Sequence, residues 1–183
     1  CLDLLWRRFN RFRHRRLYDL TQSKTSQSAC HAIGSIAGSV AIFSYDVTFD
    51  GIYQIIFIGD GPDTNFYKEE VKNKKLEHEI VFLGRKKNPY PYYKLCDCVV
   101  LSSDYEGYPV VYLESFILNK PIITTNVSDS EQIEGQGIVV EKDETEIYKA
   151  MKDFIEKGYQ ITKQFDAKDY NNNIFNKLQE IIS

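Results

Sequence analysis

The stretch Ser102-Ser-Asp-Tyr-Glu-Gly-Tyr-Pro-Val-Val-Tyr-Leu-Glu114 places two glutamates, a glycine and a proline in an order that suits a phosphorylated ligand. An apolar run ends at Ser102, a polar loop follows, and Pro109 is placed to open a helix at its first position. Proline has no N–H, so the first free donors of that helix are the Val110 and Val111 amides. Together with the helix dipole they form an anion site suited to phosphate. Glu114 lies roughly 7.5 Å along the axis from Pro109, and its side chain leans back toward the N-terminus. A carboxylate there can accept hydrogen bonds from both vicinal hydroxyls of a ribose whose phosphate rests on the amides. Glu106, in the loop, can reach hydroxyls of a group on the far side of the phosphates. Gly107 lets the backbone approach that ligand closely.

The spacing of the two carboxylates says little by itself. The chain has thirteen glutamates, enough for about one chance pair at i, i+8. Glu69 and Glu77 share that spacing, yet fall along one surface helix, where acids are ordinary. The loop-to-helix setting of Glu106 and Glu114 separates the two pairs.

The elements that must position these residues follow from the apolar pattern. Short β-branched and aromatic runs predict strands over 53–58, 79–83, 98–102, 121–124 and 137–141. Between them, helices are expected over about 64–76 with Asp63 as cap, from Asn88-Pro89 to Leu95, from Pro109 to about Leu118, and from Asp143 to about Lys157. A last helical stretch ends at Ile182. The strands are continuously apolar rather than alternating, as expected when both faces are covered. The pattern is that of an α/β, Rossmann-like parallel sheet with helices on both faces. Ligands of such sheets sit beyond the carboxyl ends of the strands, which directs attention to Gly59–Pro62, Gly84–Asn88 and Ser102–Pro109.

Composition divides the chain. Six of the seven arginines lie between Arg7 and Arg16, whereas fifteen of the sixteen lysines lie after residue 67. Such a switch suggests separate origins for the two parts. We divide the chain into an Arg-rich head and linker over 1–50, expected to be poorly ordered, a Rossmann-like domain over 51–160, and a helical tail over 161–183. Leu2, Leu4, Leu5, Trp6, Phe9 and Phe12 interleave with arginine, which suits either a basic amphipathic arm for an acidic membrane or nucleic acid, or sequence never selected to fold. The second reading is preferred, because no clean polar face is present. Cys1, Cys30, Cys96 and Cys98 form no CxxC, which leaves zinc and thioredoxin chemistry without support and suggests incidental thiols in a reducing cytosol. No apolar run reaches the roughly 18 residues of a membrane span.

Residues 53–157 resemble the C-terminal, donor-binding domain of family 4 glycosyltransferases of the GT-B fold. The stretches that carry the resemblance are Ile56-Phe-Ile-Gly-Asp-Gly-Pro62, Ile80-Val-Phe-Leu-Gly84, Asn88-Pro-Tyr-Pro-Tyr-Tyr93, Cys96-Asp-Cys-Val-Val-Leu-Ser-Ser103, Glu106-Gly-Tyr-Pro through Glu114, and Lys120-Pro-Ile-Ile-Thr-Thr125. The resemblance implies a nucleotide-diphosphate sugar as donor and no metal or other cofactor. It implies that Glu114 holds the ribose, that the Val110 and Val111 amides hold the diphosphate, and that Glu106 acts at the donor sugar with the backbone of Gly107 and Tyr108. Gly84, Arg85 and Lys86 would line the base. Transfer to an acceptor hydroxyl, mostly with retention of anomeric configuration, and a role in bacterial surface polysaccharide follow as expectations.

The family's Gly-Arg to Lys-Gly segment, which clamps the diphosphate, should precede Ile56 by some 30–45 residues. Residues 10–30 offer Arg11, Arg13, Arg15, Arg16 and Lys24, but no Gly-Arg and no Lys-Gly. The sequence thus reads as a truncated glycosyltransferase, inactive alone, whose glycan or lipid-linked acceptor would be met by a missing N-terminal domain. A cytoplasmic protein is expected, compatible with peripheral association at the inner face of a membrane, with no nucleic-acid partner. The alternative is a non-catalytic module that binds nucleotide sugar or a partner chain.

Overall fold

A computed structural model of the chain describes residues 40–46, 52–103, 109–127 and 133–182. The elements are β1 (Val40–Asp46), β2 (Ile52–Ile58), α1 (Thr64–Asn73), β3 (Ile80–Gly84), α2 (Tyr90–Leu95), β4 (Cys98–Leu101), α3 (Val110–Ile117), β5 (Ile122–Thr125), β6 (Gly137–Val140), α4 (Glu144–Lys157) and α5 (Ala167–Ile182). The strands form one sheet in the order β3-β2-β1-β4-β5-β6. This is the strand order of a doubly wound sheet.

β2 with β3, β4 with β5, and β5 with β6 pair in parallel. β1 runs against both neighbours, with Val40 opposite Ile58 and Ala41 opposite Val100. The sequence pattern placed no strand before Tyr53 and left residues 1–50 as a poorly ordered head, yet Val40–Asp46 lies inside the sheet. Its direction has a simple cause. β1 ends at Asp46 and β2 begins at Ile52. So short a connection can join antiparallel neighbours, whereas a parallel pair needs a crossover of roughly a dozen residues or more. The rest of the head, including the apolar residues from Leu2 to Phe12 and the arginines from Arg7 to Arg16, lies outside the described residues.

The continuous apolar runs are explained by burial on both faces. In β4, Cys98 and Val100 enter one core with Phe57, Ile80 and Ile123, while Val99 and Leu101 enter the other with Ile58 and Ile122. Successive side chains of a strand point to opposite faces, so a strand covered twice must be apolar throughout. α1 and α4 cover the first face through Tyr67, Val71, Ile147, Ala150, Met151 and Ile155. α2 and α3 cover the second through Tyr93, Tyr112 and Phe116. β6 comes so close to β5 that a Cβ added to Gly137 would lie 2.1 Å from the Ile122 carbonyl oxygen. Glycine is therefore the residue that lets this edge pair form.

The helix starts test the expected caps. Asp143 accepts from the Thr145 amide at 2.8 Å and the Glu146 amide at 3.2 Å, as its position before α4 predicts. Asn88 accepts from the Tyr90 amide at 3.2 Å, although the helical segment begins one residue later than expected, with Pro89 at the cap. Asp63 occupies the cap position of α1 but makes no side-chain cap bond. The turn is closed instead by Thr64, whose Oγ1 accepts from the Gly61 amide at 2.9 Å. Pro109 also sits at the cap rather than at the first helical position, with ψ of 104°. After α4 the chain returns to the sheet, where the Tyr159 hydroxyl donates to the Gly137 carbonyl at 3.0 Å. Phe165 packs between Phe116 and Tyr170, with ring centroids 5.7 and 5.4 Å away, and so anchors the start of α5.

Candidate functional site at the carboxyl ends of the strands

β2, β3 and β4 point the same way, so Gly59, Gly84 and Ser102–Ser103 emerge at one edge of the sheet. The strand order reverses between β1 and β4, although β1 itself runs the other way and ends at the opposite edge. α3 begins there, following β4.

Two backbone links shape the edge. The Gly59 amide donates to the Gly84 carbonyl at 3.1 Å, joining the ends of β2 and β3. Gly84 has φ of 67°, the left-handed region that favours glycine, and nothing lies within 4 Å of where its Cβ would be. The requirement at Gly84 is thus the backbone turn and not space. The Gly61 amide is already bonded to Asp60 Oδ1 and Thr64 Oγ1. The Gly59–Pro62 turn therefore closes on itself, which fits its role as the end of a strand.

At α3 the first intrahelical donor is Tyr112, whose amide bonds the Pro109 carbonyl at 3.0 Å. Among the described residues none accepts from the Val110 or Val111 amide. Val110 is exposed and Val111 half-buried, and the first amides of a helix have no intrahelical acceptor. Glu114 stands on the same helix, half-buried. Its Oε2 accepts from the Tyr93 hydroxyl at 3.0 Å. Tyr93 is 1% exposed, and burial, followed by the charge of Glu114, pushes its hydroxyl well above the ordinary tyrosine range. The hydroxyl therefore remains a donor.

Of the residues expected at the base, Arg85 is exposed and Lys86 is half-buried. Lys86 Nζ lies 6.0 Å from the centre of the Tyr92 ring, at the outer reach of a cation–π contact. Glu106, Gly107 and Tyr108 lie outside the described residues. The structure thus brings together the α3 amides and Glu114. It adds Tyr93, to which the sequence reading gave no role, because two adjacent tyrosines in an aromatic run carry no signal of which one turns inward.

Other polar groups along β4 and β5 are structural. The Thr125 hydroxyl donates to the Ser103 carbonyl at 2.6 Å. Tyr112 and Thr124 share a buried hydroxyl contact of 3.0 Å. Lys120 Nζ donates to the Cys96 carbonyl at 2.7 Å, fastening the start of β4. Cys96 and Cys98 are free, buried thiols; burial pushes Cys96 up to about 12 and raises Cys98 as well. A cavity of about 490 Å³ lies away from the edge, between Phe116 and α5, lined by Phe165, Tyr170 and Lys177 among others. Among the described residues no group of three metal-ligating side chains is present, and no helix is long and apolar enough to cross a membrane.

A glycosyltransferase described as uncharacterized from Methanocaldococcus jannaschii, MJ1059, is 36% identical over 73 residues, covering 40% of this chain and 18% of that protein. The O-antigen biosynthesis glycosyltransferase WbnH of Escherichia coli is 32% identical over 121 residues, covering 66% of this chain and 31% of that protein. The chain therefore spans at most about a third of the length of these relatives. The crystal structure of Anabaena Alr3699/HepE in complex with UDP and glucose superposes with a TM-score of 0.52 at 19% identity, over 68% of this chain and 40% of that one. It shares the fold. The family described as "Glycosyl transferases group 1" matches residues 47–157, well over half of the chain, and the protein belongs to that family.

Proposed function

We propose that residues 53–157 bind the nucleoside diphosphate part of a nucleotide-sugar donor, with the diphosphate on the Val110 and Val111 amides and the ribose on Glu114. The observation that carries the reading is the α3 terminus: two amides without a described acceptor, a carboxylate behind them on the same helix, and a place at the strand-order reversal. Amides at a helix start attract anionic oxygen, and a carboxylate accepts from vicinal hydroxyls. Gly84, Arg85 and Lys86, at the end of β3, would meet the base. Glu106, with the Gly107-Tyr108 backbone, would address the sugar.

The reaction proposed for the enzyme is transfer of that sugar to an acceptor hydroxyl with retention. WbnH is named for O-antigen biosynthesis, which supports surface polysaccharide as the product class, made on the cytoplasmic side. Two neutral amides and one carboxylate supply few charge-assisted bonds, so affinity is expected near millimolar, about 4 kcal/mol.

The test is a titration of uridine, guanosine and adenosine diphosphates, followed by NMR. Glu114→Ala should weaken binding about tenfold through lost ribose hydrogen bonds. Glu69→Ala should change nothing: Glu69 lies on α1, and its partner at the same spacing, Glu77, falls beyond the end of that helix rather than along it as the sequence pattern predicts. Equal binding by the two variants, or shifts away from Val110 and Val111, would refute the site.

A further inference from the structure

Tyr93 and Glu114 are twenty-one positions apart and meet across two helices that cover the same face of the sheet. The Tyr93 ring belongs to the core cluster with Ile58, Val99, Leu101, Tyr112 and Phe116. Its main chain is held as well: the amide bonds the Pro89 carbonyl at 3.3 Å, and the carbonyl accepts from Cys96 Sγ at 3.1 Å. A ring fixed in this way can place its hydroxyl at only one point, and that point is Glu114 Oε2. Glu114 Oε1 is bonded to no described residue. A free glutamate samples many rotamers and must give them up on binding. A glutamate already held by a buried donor has less to give up, and its second oxygen stays available.

We propose that Tyr93 is a positioning residue for Glu114: its buried hydroxyl holds one carboxylate oxygen so that the other is presented to a ribose diol. The pair thereby makes the site select ribonucleoside over 2′,3′-dideoxynucleoside diphosphates. The proposal rests on the nucleotide reading above and adds to it a residue and a selectivity. Tyr93 touches no ligand; it acts through Glu114. The burial that keeps the tyrosine protonated supports the same role, since only the protonated hydroxyl can donate to a carboxylate.

The experiment uses the full chain, wild type and the variants Tyr93→Phe, Glu114→Ala and both together. Each is titrated with the ribo and 2′,3′-dideoxy forms of uridine, guanosine and adenosine diphosphates, and with inorganic diphosphate. In the wild type the preferred ribonucleotide should bind about tenfold tighter than its dideoxy form. Tyr93→Phe should reduce that ratio about threefold or more, while dideoxynucleotide and inorganic diphosphate binding stay within about twofold. The double variant should bind ribonucleotide no more weakly than Glu114→Ala, because the two residues act as one unit. A tyrosine that served only the core would weaken all ligands together and leave the ratio alone.

If Glu114→Ala removes the ribose preference and Tyr93→Phe leaves it intact, Tyr93 has no positioning role and the nucleotide site stands. If Glu114→Ala leaves the preference unchanged, the nucleotide reading fails and the role of Tyr93 with it. Should Tyr93→Phe not fold, wild-type protein carrying tyrosine labelled with carbon-13 at Cζ gives the answer. Its Tyr93 signal should move on adding ribonucleotide and stay in place on adding the dideoxy form. Equal movement with both ligands overturns the proposal.

Discussion

The hydroxyl of Thr125, the last residue of β5, donates to the carbonyl of Ser103 at 2.6 Å. That carbonyl lies just past the end of β4, where the chain leaves the sheet on its way to α3. Thr125 is almost fully buried, so its hydroxyl has little access to water as an alternative partner. The bond ties the exit of one strand to the end of the next and fixes the point from which the site loop departs.

Thr125→Val keeps the shape of the side chain and removes the donor. We expect a stability loss of about 1 kcal/mol, the net worth of one such bond. In thermal melts this corresponds to a midpoint lowered by about 2–4 °C for a chain of this size. An unchanged midpoint would show that the Ser103 carbonyl finds an equal partner without Thr125.

Val110→Pro tests the anion site without cutting away a carboxylate. Val110 is the first residue of α3 and is exposed, and proline is well tolerated at that position. Pro109 is extended, as a residue before proline should be. The substitution should leave the melting temperature nearly unchanged and weaken inorganic diphosphate and nucleoside diphosphates alike, by about three- to tenfold. The Glu114 variant should affect only the nucleosides. Undiminished binding of inorganic diphosphate in Val110→Pro would remove this amide from the site.

Asp143 caps α4, and hydrogen bonds from Thr145 first, then from the Glu146 amide, hold its carboxyl below the ordinary aspartate range. A carboxyl with a lowered folded-state pKa stabilises the protein above its unfolded pKa, and that stabilisation is lost as pH falls through the folded value. Asp143→Ala should therefore melt lower than wild type at neutral pH. The gap should close as the pH drops below the ordinary aspartate range. Chemical denaturation at a series of pH values measures it, and a gap independent of pH would argue against a charged cap.

Cys96 and Cys98 should resist alkylation in the native protein. The thiolate is the reactive form, and burial raises both groups so that little of it exists at neutral pH. Iodoacetamide followed by peptide mapping should leave both unmodified until denaturant is added. Rapid labelling of the native chain at either position would contradict their burial in the two cores.

The types of the elements were legible because they depend on local pattern. Cys98-Val-Val-Leu101 is apolar at every position, as a strand covered on both faces must be. The starts of α3 and α4 were legible within a residue because proline and aspartate act on the nearest amides. The α3 amides and Glu114 followed from helix geometry alone, since all lie on one short helix. What depended on distant contacts was not legible. β1 runs antiparallel because the short link to β2 permits only that pairing, a constraint that appears once its partner in the sheet is known. The inward turn of Tyr93, the choice of Thr64 over Asp63 to close the turn before α1, and the bond from Thr125 to Ser103 were also settled by packing. Sequence period determines which face of an element is apolar. Which hydroxyl meets which carbonyl or carboxylate depends on how two such faces settle against the same sheet, and only the tertiary structure decides that.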